Sequence, residues 1–110
     1  MLAARMLPDA DFKRLYYIGA VLDEATMTQF RAAIQERLAD PSGPRDPLTR
    51  AITAMAAEAR ERGMTAEQLV ITIKREWDGM LDAGMIAYGA EHVPLRDSVV
   101  TSAIRAYYVQ

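Results

Sequence analysis

The sequence contains no cysteine, which removes disulfide scaffolds, thiolate-held zinc or iron–sulfur centres and thiol nucleophiles together. It has a single histidine, so a neutral-pH general base or an imidazole metal ligand has one candidate position. Neither sign of charge is in excess. Thirteen Lys plus Arg stand against fifteen Asp plus Glu, a net charge of -2, which supplies no basic footprint for nucleic acid or an anionic membrane. Long hydrophobic runs are missing as well: the longest charge-free stretches, 15–22 and 83–90, fall far short of the roughly 20 residues a membrane-spanning helix needs. Near the start, Pro8 and Asp9 interrupt the chain before a secretory apolar region forms, and the expectation is a cytoplasmic protein.

What is present suits one helical domain over residues 1–110. The chain is 51% hydrophobic and 25% charged, close to the averages for globular proteins, and its 19 alanines favour helix. Three prolines and a glycine within Asp40-Pro41-Ser42-Gly43-Pro44-Arg45-Asp46-Pro47 mark the principal loop, because neither a helix nor a central strand continues through them. Before it, Met27, Phe30, Ile34 and Leu38 recur at steps of three and four, with Thr26 and Gln29 spaced as a capping box. After it, Asp46 and Pro47 read as N-cap and first helical residue. Leu48, Ile52, Met55, Ala56 and Ala59 carry the period to a stop at Gly63.

Thr65 and Gln68 then form a second capping box, flanked by Met64 and Leu69 at the spacing of a hydrophobic staple. Leu69, Ile73, Trp77 and Met80 or Leu81 continue one face, with an end expected between Gly79 and Ala83 and a less regular connection over 85–91. Pro94 can open a last helix in which Leu95, Val99, Ala103 and Tyr107 share a side. Val99-Val100-Thr101 would also suit a strand, but no second strand is available to pair with it. An N-terminal helix capped at Asp9 or Asp11, with Phe12, Leu15, Gly19 and Leu22 on its apolar side, completes the reading. The expected fold is all-α, an irregular bundle of four to five helices with short connections.

Catalytic patterns are thin. His92 stands beside Glu91 in an expected loop, and neither Ser98 nor Ser102 sits in a serine-hydrolase motif. Asp78 and Asp82 lie four residues apart on one helical side, where carboxylates could meet Glu91 and His92. No Glu-x-x-His or His-x-x-x-His pair fixes a metal geometry, and a solvated acidic face accounts for the same residues. The glycines form neither a phosphate-binding loop nor a dinucleotide fingerprint. Ala59, Gly63 and Leu69 fall at positions reminiscent of a helix-turn-helix unit. A second helix opening Ala66-Glu67-Gln68, with Val70, Ile71 and Thr72 following, presents an acid and aliphatics where a groove wants arginine or asparagine.

The residues that do stand out are apolar and face the wrong way for an isolated bundle. Leu69, Val70, Ile71 and Ile73 point in too many directions for one helix face to hold. Tyr16-Tyr17 and Tyr107-Tyr108 each place adjacent rings about 100° apart. The expected function is therefore a small non-enzymatic helical module that self-associates, as a homo-oligomer, or docks on a protein partner, with Tyr17, Val70, Ile71, Tyr107 and Tyr108 as contacts. No cofactor, metal or catalytic residue is assigned, and membrane and nucleic acid are disfavoured as partners. The alternatives are a small-ligand site or an enzyme pocket between helices near Trp77, with Asp78, Asp82 and His92 at its mouth, and a helix-turn-helix-like regulator.

Overall fold

In the computed structural model, residues 22–109 are described; the expected N-terminal helix and Tyr17 lie outside them. Four helices follow one another: α1 Glu24–Ala39, α2 Asp46–Glu61, α3 Ala66–Asp82 and α4 His92–Tyr108. The described residues contain no strand, and Val99-Val100-Thr101 is helical. Among the described residues, no helix is long and apolar enough to cross a membrane.

Each helix contributes the face its spacing implies. Met27, Phe30 and Ile34 of α1, Ile52, Met55, Ala56 and Ala59 of α2, Leu69, Ile73, Trp77 and Met80 of α3, and Val99 and Ala103 of α4 meet in one buried cluster. Removing the side chain of a residue such as Phe30 or Ile73 from water is worth about 1.5–3 kcal/mol, so these positions dominate the driving force. The ambiguity at the end of α3 resolves with Met80 inside and Leu81 half-buried at the edge. Helix α2 packs between α1 and α4, and α4 in turn packs between α2 and α3.

Two chain reversals are built on glycine. At the end of α2, Gly63 takes φ +79°, its N–H bonds to the Arg60 carbonyl and the Met64 N–H reaches back to Ala59, closing a Schellman turn. At the end of α3, Gly84 takes φ +73° and the Gly84 and Met85 N–H groups repeat the pattern on Leu81 and Met80. A left-handed φ of this kind carries a steric cost for any residue with a Cβ, which is why glycine stands at both positions.

The helix starts divide. At Thr65 both expected bonds are made: the Gln68 N–H donates to the Thr65 hydroxyl, and the Thr65 N–H donates to the Gln68 side-chain oxygen. Met64 and Leu69 are both buried beside it. The expected box at Thr26 and Gln29 is not formed. Helix α1 begins at Glu24 after Asp23, and the Thr26 hydroxyl donates instead to the carboxylate of Glu58 on α2, at 2.5 Å. Helix α2 begins one residue earlier than the Asp46 cap implies, with Arg45 at the N-cap and Pro47 in the first turn. The proline has no N–H to leave unsatisfied there.

Candidate functional site

The residues singled out by sequence fall in three places. Trp77 and His92 are brought together. The indole N–H of Trp77 donates to His92 Nε2 at 2.7 Å, with the rings in an edge-on arrangement, and both residues are buried. An acceptor nitrogen carries no proton, so this contact requires the neutral tautomer with its hydrogen on Nδ1. Trp77 has no exposed surface, so its ring fills the interior between α3 and α4. Asp78 and Asp82 are exposed on α3 and point away from that interior. Among the described residues, no three histidine or carboxylate side chains are grouped as a metal site.

A second set lies on the outer side of α4. The core residues His92, Val99 and Ala103 repeat at i, i+7 and i+11. One residue further on, at the same spacing, Val93, Val100 and Ile104 form a parallel row turned by about 100°, in which Val100 still packs against the core while Val93 and Ile104 are exposed, with Tyr108 extending it. Val93 is 57% exposed, Ile104 39% and Tyr108 70%. The adjacent tyrosines part company as their angles demand. Tyr107 is half-buried, with its hydroxyl donating to the Met64 carbonyl, while Tyr108 stands outside with its ring edge-on to Tyr107. Val70 and Ile71 on α3 are half-buried and lie outside the buried cluster. At the other end of α4, Tyr88 is exposed with its ring tilted over His92.

Third is a cleft that sequence spacing did not reveal. It encloses about 450 Å³ where the end of α1, the start of α2 and the first half of α4 meet. Leu38, Leu48, Ile52, Leu95 and Val99 line its apolar part, while Arg37 and Arg45 bring two positive charges and Thr49, Ser98 and Ser102 bring hydroxyls. Arg37 is held in place by donating to the Gly43 carbonyl at 2.9 Å. A Cβ at Gly43 would lie 2.8 Å from the exposed Asp40 carboxylate, which would have to swing aside. The available signal was one arginine just before the proline-rich loop and one within it.

Charge also ties the helices to one another. Arg31 of α1 bonds to Glu76 of α3 at 2.7 Å and to Glu24 within its own helix, and these two carboxylates hold its guanidinium more basic than usual. Glu58 receives the Asp23 N–H at 2.6 Å, the Thr26 hydroxyl and the Arg62 guanidinium at 2.9 Å. Burial pushes its carboxyl pKa up, but the three donors outweigh burial and hold it below the ordinary value of 4.5.

Comparison with protein-family models, with curated proteins and with solved structures finds no match for this chain.

Proposed function

We propose that the protein is a helical self-association module whose contact surface is the outer face of α4, with a second copy of the same chain as its partner. The observation that carries this reading is the row of large apolar side chains, Val93, Ile104 and Tyr108, that stands exposed among the described residues. Charge placement favours a second copy over an unrelated chain. Asp97 and Arg105 are both exposed and lie four residues either side of Thr101. Two α4 helices packed antiparallel about a two-fold axis at Thr101 set Asp97 against Arg105 of the partner subunit, and the symmetry makes that pair twice. The same register brings Tyr108 over Pro94 of the partner subunit. Val70, Ile71 and Tyr107 are half-buried, and Tyr17 falls outside the described residues.

Sedimentation equilibrium of the full chain tests it. A mass of twice 12.2 kDa is expected, with Tyr108→Asp weakening association at least about tenfold at unchanged helicity. Asp97→Arg should weaken it, and adding Arg105→Asp should restore it. A monomer at every concentration, or a dimer indifferent to all three variants, overturns the reading.

A further inference from the structure

From the cleft between α1, α2 and α4 we infer a second site, which shares Pro94 with the edge of the association face: a binding site for a small carboxylate with an apolar body, such as an aryl-alkanoate. Three observations converge. First, the cleft's volume of about 450 Å³ lies in the range of small-molecule sites, and the half-buried Leu38, Leu48 and Leu95 give it an apolar strip where a hydrocarbon or ring displaces water. Second, the two arginines differ in a useful way. Arg37 is fixed by its bond to the Gly43 carbonyl, so little side-chain freedom remains to be lost on binding. The guanidinium of Arg45, at the N-cap of α2, makes no hydrogen bond or ion pair within the described residues, so its planar fork is open to a bidentate carboxylate. Third, the charge balance favours an anion. Among the described residues the only carboxylate on the lining is Glu91, against the two guanidinium groups, and the other polar side chains are the hydroxyls of Thr49, Ser98 and Ser102, which can donate to a carboxylate oxygen.

The geometry implies an orientation. The carboxylate sits at the loop end between Arg37 and Arg45, and the apolar body runs along α4 toward Ser102. A phosphate or sulfate would satisfy the arginines and leave the leucine wall wet. An apolar molecule without a charge would fill the wall and leave Arg45 without a counter-ion. The pairing of both features in one cleft is what selects an amphipathic acid.

The experiment is a titration of the isotopically labelled full chain, followed by amide chemical shifts, with 4-phenylbutyrate and separately with the neutral 4-phenylbutanol. Saturable shifts at Thr49, Ser98 and Ser102 are expected for the acid, with at least about tenfold weaker binding of the alcohol. Arg45→Gln should reduce the acid to the alcohol's affinity and leave the alcohol unchanged. Because Arg45 is exposed, that variant should keep its melting temperature, and Ser98→Ala provides a second probe if it does not. No saturable shift, shifts centred elsewhere, equal binding of acid and alcohol, or acid binding indifferent to Arg45→Gln would each overturn the assignment. Inorganic phosphate binding as tightly as 4-phenylbutyrate would also overturn it, since the apolar wall would then contribute nothing.

Discussion

At the start of α3 the free backbone N–H groups of the first turn are met from within that turn, by a threonine and a glutamine three residues apart. At the start of α1 a threonine and a glutamine stand at the same spacing, yet the threonine hydroxyl and the Asp23 N–H both go to a carboxylate on another helix, 32 and 35 residues away. One start is neutral and local, and the other is charged and tertiary. A local cap holds its helix whether or not the rest of the bundle has assembled. The Glu58 arrangement can form only once α1 and α2 lie side by side, so it reports their packing and depends on the charge of one side chain.

Three substitutions should separate the two kinds of start. Glu58→Ala should have the largest effect, about 2 kcal/mol, because it strips a charged acceptor from two donors on α1 and from Arg62 at once. A denaturant midpoint measures it, and a change under about 0.5 kcal/mol would mean that water replaces the carboxylate without cost. Thr65→Ala should cost about 1 kcal/mol, the usual worth of a helix cap, and that cost should be the same in acid as at neutral pH.

The smallest effect sharpens the contrast. The carboxyl of Glu58 is held below its ordinary value in the folded protein, so its ionised form contributes stability above 4.5, and the contribution drains away as pH falls through the depressed folded value. Glu58→Gln lacks that increment. The stability difference between wild type and Glu58→Gln should therefore shrink on acidification, by less than about 1 kcal/mol, in paired denaturation curves at neutral pH and well below 4.5. A constant difference across that window would show that the carboxylate charge plays no part in holding α1.

The same contrast explains what could be read in the sequence. Periodicity located α1, α2 and α3 and their buried faces, because a residue such as Ile34 or Ile73 declares its side by its spacing alone; α4 was preferred to a strand for want of a pairing strand, and His92, expected in a loop, opens that helix with its side chain buried. Gly63 and the Thr65 box were equally legible, since both are chemistry within six residues. Thr26 was misassigned because the spacing that makes a capping box carries no information about a glutamate on the next helix. The sequence placed a pocket near Trp77 with Asp78, Asp82 and His92 at its mouth, and the structure does bring Trp77 and His92 together, but as a buried hydrogen-bonded pair with Asp78 and Asp82 turned outward. Nearness along the chain could not say whether the indole would face a cavity or fill one. For the tyrosine pair, divergence by 100° implied that one ring must leave the core. Choosing Tyr108 over Tyr107 required the Met64 carbonyl, 43 residues away. The cleft was illegible for a similar reason: Arg37 and Arg45 are separated by the loop that folds them toward α4, and their common target exists only in three dimensions.

The bond between Trp77 and His92 has a consequence for observing this protein. The chain holds one indole and one imidazole, and each is the other's partner, so a single proton, the indole N–H, lies at the boundary between α3 and α4. Its resonance is one isolated peak needing no assignment strategy, and its exchange with solvent requires the bond between Trp77 and His92 to open. The protein thus carries its own gauge of interior opening, written into two side chains of which it has no other copies.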